Sequence, residues 1–234
     1  MTSSKWSAHG NVYLLVEPGE HGRLTASGAA KLAAEHDTDG VLEVLALDGA
    51  EAEIAIWNPD GSRAEMSGNG TRIAARWLSE RAGVLDVRIR VGERVVSARV
   101  TGNEVEQDLG AVEVGEREAV DGIEFVPVSV GNPHAVVIDD LAQLEQIGPL
   151  LETHPRFPER TNVQVARVEA PGRVTARVWE RGVGETQSSG TSAAAVAAAT
   201  HDQGEVVVDF PGGPLRVRLD GGRAYVAGPA ERTP

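Results

Sequence analysis

Polar and apolar positions along the chain mark short strands separated by two kinds of helix. Gly10 to Glu17 is an apolar run closed by Pro18 and Gly19, the pattern of a buried strand. Thr25 to Glu35 has apolar residues at helical spacing (Leu24, Ala29, Leu32, Ala33), with a capping box from Ser27 to Lys31 that lacks its acid. Val41 to Leu47 and Ala52 to Trp57 alternate as a hairpin around Asp48-Gly49, and Asn58-Pro59-Asp60-Gly61 is a turn. A helix entered at Ser67 runs to about Arg81 and stops at Gly83. Val84 to Val91 and Arg94 to Val100 form another hairpin, and Gln107 to Gly115, poor in large apolar residues, reads as a link. Downstream, Ile123 to Val130 and His134 to Ile138 are strands, Leu141 to Leu151 a helix, and Val163 to Val168 and Val174 to Trp179 strands. A second Ser-Gly helix follows, closed by Gly204, then the hairpin Glu205 to Phe210 with Leu215 to Leu219, and a last strand, Ala224 to Ala227.

This order occurs twice. Glu65-Met66-Ser67-Gly68-Asn69-Gly70-Thr71 and Glu185-Thr186-Gln187-Ser188-Ser189-Gly190-Thr191-Ser192 are Ser-Gly turns that open into Ala-rich helices. Trp57 and Trp179 each end a strand ten residues earlier. Gly10-Asn11 lies 57 residues before Ser67, and Gly131-Asn132 lies 58 before Ser189. Thr38-Asp39 and Thr161-Asn162 precede the same serines by 28 and 27 residues. Matched landmarks in matched order predict a tandem duplication of one strand-rich α/β unit. The expected division is 1–110 and 111–222, with 223–234 returning to the first unit and a cleft between the two.

Composition narrows the classes. The chain has 234 residues, 41% apolar and only 4% aromatic, so aliphatic side chains and alanine must fill its cores. A net charge of −13, dispersed along the chain, disfavours nucleic-acid binding. No apolar run approaches the roughly 18 residues of a membrane span, and the polar start at Met1 to Ser7 does not read as a signal peptide. The expectation is a soluble cytoplasmic protein with no membrane partner. The absence of cysteine excludes disulfides, thiolate metal sites and cysteine nucleophiles, and no two histidines stand at metal-ligand spacing. No metal is expected.

The Ser-Gly turns admit two readings. Serine before a helix is a favoured N-cap, contributing about 1 kcal/mol. A helix N-terminus is also an anion site, through its free N–H groups and dipole. Two such ends could grip a carboxylate or stabilise charge on a carbon acid. Asn11, Asn58, Asn69, Asn132, Asn162, Glu180 and Arg181 cluster beside the turns. Each asparagine alone reads as a turn residue, and their placement at equivalent points of both repeats favours function.

The motifs together resemble the diaminopimelate epimerase family. They are His9-Gly10-Asn11, Asn58-x-Asp60-Gly61-Ser62, Ser67-Gly68-Asn69-Gly70-Thr71-Arg72, Gly131-Asn132-Pro133-His134, His154 through Asn162, Glu180-Arg181-Gly182-x-Gly184-Glu185-Thr186, Ser189-Gly190-Thr191 and Gly228-Pro229-Ala230. The resemblance implies an α/β (α+β) fold of two pseudo-symmetric units, each a curved mixed sheet around a central helix. It implies a cofactor-independent isomerase converting LL- to meso-diaminopimelate in lysine and peptidoglycan precursor synthesis. The implied binding residues are Asn11, Asn58, Gly68, Asn69, Asn132, Asn162, Glu180, Arg181, Gly190 and Thr191, for a small amino-acid substrate. A homodimer is compatible with this assignment.

In that family both helix-entry positions are cysteine, one thiolate removing the α-proton and the other thiol reprotonating the opposite face. Here they are Ser67 and Ser189. A thiol can be tuned to a thiolate at a helix N-terminus, whereas a serine hydroxyl is hardly ionised near neutrality and needs a partner base. His134 and Glu180 are the candidates, so the expected catalytic set is Ser67, Ser189, His134 and Glu180. After Asn11 stands Val12-Tyr13 where the family has Asp-Phe, and Gly40 stands where it often has Gln. The serines fit engineered replacements, natural divergence or a redesigned cysteine-free sequence. An impaired epimerase, a non-catalytic binding protein and a related isomerase or dehydratase remain open; exchange of the α-proton in deuterated buffer separates the first two.

Overall fold

The computed structural model describes residues 2–19 and 22–233; Met1 and Pro234, which bound the expected units, lie outside them. The chain divides into one unit of Met1–Gln107 with Gly228–Pro234 and a second of Asp108–Ala227. The first unit runs β1 (Ser3–Ala8), β2 (Asn11–Val16), α1 (Ala26–His36), β3 (Val41–Asp48), β4 (Glu51–Trp57), β5 (Arg63–Ala64), α2 (Gly68–Ala82), β6 (Asp86–Val91) and β7 (Arg94–Thr101), and β8 (Glu104–Ala111) crosses into the second. There follow β9 (Glu113–Val114), β10 (Glu118–Val120), β11 (Ile123–Ser129), β12 (Pro133–Ile138), α3 (Leu144–Glu152), β13 (Asn162–Ala170), β14 (Arg173–Glu180), β15 (Gly184–Thr186), α4 (Gly190–Thr200), β16 (Gly204–Phe210), β17 (Gly213–Asp220), β18 (Arg223–Pro229) and β19 (Glu231–Thr233).

Pairing within each unit follows one plan. β1–β2 and β11–β12 are antiparallel, and β2–β3 and β12–β13 parallel. β3–β4 and β13–β14 are antiparallel, each with a register shift, between Val44 and Ala46 and between Val168 and Ala170. β4 then pairs antiparallel with β5 and parallel with β6, as β14 does with β15 and β16. The fold is mixed α+β with two pseudo-symmetric units.

Each unit carries two cores because its sheet is apolar on both faces. In the first, α2 packs against Trp6, Leu15, Leu42, Ile54, Ile56 and Ile89. On the opposite face α1 sits over Leu14, Val16, Val41 and Trp57. In the second, α4 is enclosed by Val174, Val178, Val206, Val208 and Leu215, while α3 covers Phe125, Val137, Val163 and Val165. The run Ala193–Ala195 with Ala197 leaves α4 no polar face, and a helix apolar all round is buried all round.

Several local expectations are corrected. Ser3–Ala8 is a strand, not a polar lead, because Trp6 and Ala8 point into the core while Lys5 and Ser7 point away. Gln107 to Gly115 does hold the boundary between the units but is not an unpaired link: most of it lies in β8 and β9, and Gln107 is buried. Thr25, not Ser27, caps α1, accepting from Gly28 N at 3.1 Å. Leu141–Gln143 is a 3-10 turn before α3, and α4 ends at Thr200, with Gly204 already in β16. The sheet register moves one landmark as well. Leu14 pairs with Val41 as Ala135 pairs with Val163, so Gly40, not Asp39, is the counterpart of Asn162. Residue numbers then differ by 122 for Gly40 and Asn162, Trp57 and Trp179, and Ser67 and Ser189.

Candidate active site

Ser67 is the N-cap of α2, in extended backbone at φ −142° and ψ 120°. Its carbonyl accepts Thr71 N at 2.9 Å and its Oγ accepts Gly70 N at 3.0 Å. The same Oγ lies 3.2 Å from the Tyr13 hydroxyl. Asn69, buried in the first turn, donates from Nδ2 to Asn11 Oδ1 and accepts from the Arg72 guanidinium on its own Oδ1. Arg72 is 0% exposed, and its Nε and Nη1 meet no hydrogen-bond partner among the described residues. Burial lowers its pKa to about 10. The Gln107 amide completes the turn, its nitrogen toward Gly68 O (3.2 Å) and its oxygen toward Thr71 Oγ1 (2.7 Å) and Arg72 N (3.3 Å). Asn58 stands apart from this network: its Nδ2 donates to Ser62 Oγ at 2.9 Å and its backbone closes the Asn58–Ser62 turn. Gly61 in that turn has φ 84°, and a Cβ there would come 2.3 Å from Ala26 O.

In the second unit Ser189 is the N-cap of α4 at φ −146° and ψ 130°, and its carbonyl accepts Ala193 N at 2.9 Å. Its hydroxyl makes no bond to the helix N–H groups; its hydrogen-bond partner is Thr191 Oγ1 at 3.5 Å. Capping therefore accounts for the Ser67 side chain and not for that of Ser189. Ser188 is buried, with no partner for its Oγ among the described residues.

His134 is 1% exposed. Its Nδ1 lies 3.0 Å from Gln164 Nε2, which also donates to Ser192 Oγ, and its Nε2 lies 3.0 Å from Asn132 Oδ1. With the amide nitrogen donating, Nδ1 is the bare acceptor and Nε2–H donates to Asn132, a tautomer assigned from its partners. Burial pulls the His134 pKa down to about 3; the Gln164 bond opposes the shift and the Arg181 charge adds to it. Such an imidazole stays neutral and is a weak base near pH 7. Glu180 is also well covered; burial raises its pKa, against the Thr186 hydroxyl, which donates to Oε1 at 2.5 Å. Neither His134 nor Glu180 hydrogen-bonds to Ser189 among the described residues. Asn162 ties two loops, donating to Pro133 O and accepting Arg181 N, both at 3.0 Å. Arg181 itself donates from Nη1 to Glu159 O at 3.1 Å.

The structure thus joins Asn11 with Asn69, Asn132 with His134, Asn162 with Arg181 and Glu180 with Thr186. Gly68 and Gly190 are the first residues of the two helices. Sequence reasoning noted Tyr13 only as a departure and gave no role to Gln107, Gln164 or Ser192. A signal for Tyr13 was available. Aligning Gly10-Asn11-Val12-Tyr13 with Gly131-Asn132-Pro133-His134 sets Tyr13 against His134.

A diaminopimelate epimerase family model matches residues 3–115 and 126–233. A diaminopimelate epimerase of Desulfitobacterium hafniense is 39% identical over 224 residues, covering 82% of this chain and 79% of its own. A chloroplastic diaminopimelate epimerase of Oryza sativa is 33% identical, covering 97% of this chain and 77% of its own. Among solved structures, a protein of Pseudomonas aeruginosa described as a predicted epimerase superposes with TM-score 0.75 at 16% identity, covering 99% of this chain and 96% of that one. A hydroxyproline epimerase of Agrobacterium vitis, with trans-4-hydroxy-L-proline bound, gives TM-score 0.66 at 16% identity over 99% and 88% of the two chains. The structural likenesses share the fold. With the family model spanning nearly the whole sequence and identity reaching 39%, the chain belongs to the diaminopimelate epimerase family of isomerases.

Proposed function

We propose that this chain moves the α-proton of diaminopimelate without a cofactor, at a reduced rate, with Ser67 serving one face of the carbon and Ser189 the other. One observation carries the reading: the two serines are the N-caps of the equivalent helices α2 and α4, in units whose central strands pair by the same plan. Helix N-termini stabilise charge developing on a bound carboxylate or carbanion. Asn11, Asn58, Asn69, Asn132, Asn162, Glu180 and Arg181 bind the substrate in this proposal, with Gly68, Gly190 and Thr191 at the helix ends. Arg181, whose planar fork suits a carboxylate, takes one substrate carboxylate. We infer further that the units descend from one duplicated ancestor and that the protein acts in lysine precursor synthesis in the cytoplasm. No helix among the described residues is long and apolar enough to cross a membrane.

The test is α-proton exchange from each stereoisomer in deuterated buffer, for all four combinations of serine and cysteine at positions 67 and 189. Ser67→Cys with Ser189→Cys is expected to raise the rate, because acid–base catalysis supplies about 10²–10⁴-fold and a thiol is the more tunable group. Each single change should gain little, since one face would still lack a competent group. No exchange in the double variant, despite substrate binding, would sink the proposal. The Gly70 N–H bond that occupies Ser67 Oγ favours a second reading, a non-catalytic binding protein, which predicts no exchange from any form.

A further inference from the structure

We propose that Tyr13 is the proton reservoir behind Ser67, acting through the serine hydroxyl as a positioning residue; the proposal rests on the reading above that Ser67 stands at a proton-transfer position. Four observations carry it. The Tyr13 hydroxyl lies 3.2 Å from Ser67 Oγ, across 54 residues of sequence. That is long for an O–H···O bond, and catalytic hydrogen bonds are commonly long before substrate binds and tighten afterwards. Ser67 Oγ accepts Gly70 N–H, so an amide at the helix end already supports negative charge on it. The phenol is held in place: Tyr13 is 9% exposed, and a Cβ at Gly40 would come 2.8 Å from its ring and 2.5 Å from Trp57 O. Only a glycine at position 40 leaves the ring that space. Finally, Tyr13 holds the place in the first unit that His134 holds in the second, whose imidazole is locked to Asn132 and Gln164.

The step balances as a two-proton shuttle. As the Ser67 Oγ–H proton goes to the carbanion carbon, the Tyr13 phenol proton passes to Oγ, leaving tyrosinate and an intact serine. In reverse, tyrosinate takes the Oγ proton as Oγ takes the α-proton. A phenol, of ordinary pKa about 10, ionises far more readily than a serine hydroxyl, so tyrosine supplies the titrating group that serine lacks. The core around Tyr13 is apolar, with Trp6 and Ala8 from β1, Leu42 and Val44 from β3, and Ile54 and Ile56 from β4. The charged or titratable side chains buried in the first unit include His9 in the β1–β2 turn, Glu43 on β3, which accepts from Trp57 Nε1, and Arg72 on α2, which donates to Asn69.

Tyr13→Phe removes only the hydroxyl. For the stereoisomer whose α-proton faces Ser67, the expected result is a loss of about 10²-fold in exchange kcat, an unchanged KM, and loss of the rise in rate with pH that tyrosinate formation confers. In the Ser67→Cys background the same change should cost little, because a thiol needs no reservoir. If Tyr13→Phe keeps the parent rate and pH profile, the relay is overturned while the epimerase reading stands. If the parent shows no exchange and Ser67→Cys with Ser189→Cys does, the relay is again overturned and the reading stands. If no form exchanges, the reading fails, and NMR titration of ring-labelled tyrosine decides the relay. The chain has two tyrosines, Tyr13 and Tyr225, so the resonances separate. Ser67→Ala should move the Tyr13 titration by about half a unit or more and leave that of Tyr225 in place; an unmoved Tyr13 overturns the coupling.

Discussion

His134 and Glu180 carry opposite pH signatures. The folded pKa of His134 is depressed from 6.5 to about 3, so its contribution to stability is present above pH 6.5 and lost as pH falls through that window. The slope there is at most about 1.4 kcal/mol per pH unit. The folded pKa of Glu180 is raised by burial, so its contribution is present below its unfolded pKa and lost as pH rises through the folded one. His134→Gln is therefore expected to flatten the fall in stability between pH 6.5 and 3. Glu180→Gln is expected to gain stability relative to the parent as pH rises, because burial disfavours the ionised carboxylate. Urea midpoints measured across pH check both. An unaltered acid limb in His134→Gln would mean that the imidazole is protonated in the folded state. The low His134 pKa makes it a weak base for Ser189 near neutrality, whereas the relay proposed above gives Ser67 a phenol.

At the scale of elements, the two central helices start alike and are capped differently. Ser67 Oγ bonds Gly70 N, whereas Ser189 Oγ bonds no helix amide. Ser67→Ala should cost about 1 kcal/mol of stability, and Ser189→Ala close to nothing. Equal losses in urea unfolding would show that both serines cap. The Ser189 hydroxyl, paired with Thr191 Oγ1, is not tied to a helix amide as the Ser67 hydroxyl is. Packing differs too. α2 carries large residues, Ile73, Trp77 and Leu78, into its sheet, and α4 carries alanines with one valine, Val196. α4 consequently has little side chain to lose and little room for more.

For the whole molecule, the C-terminal residues matter to the first unit. β19 pairs with β1 through Lys5–Thr233, Trp6–Arg232 and Ser7–Glu231, and Ala230 is fully buried in the α2 core. A chain ended at Ala227 should lose amide protection along β1 and unfold at lower urea, while β16 and β17, which pair within the second unit, keep theirs. Hydrogen exchange read by mass spectrometry makes the comparison. Loss of protection in β16 would contradict the assignment of residues 228–234 to the first unit.

Much of this was legible without coordinates. Apolar period, Gly and Pro punctuation and Ser before an alanine run are local signals, and local signals placed the four helices, most strands and the repeat between the units. The quoted motifs named the family for the same reason, since they sit at turns and helix entries where a short segment sets its own geometry. Weakly apolar segments were misjudged: Ser3–Ala8 and Gln107–Ala111 are strands because neighbouring strands pair with them, not through their own pattern. The chemistry around the serines lay beyond local reading. Tyr13 reaches Ser67, and Gln164 reaches His134, only because strand register sends those side chains to the helix side of the sheet. A slip of one residue would turn each to the opposite face. Helix starts follow from neighbours in sequence; which hydroxyl meets which phenol, and which imidazole is buried and neutral, follows from pairings between distant strands that only the folded sheet settles.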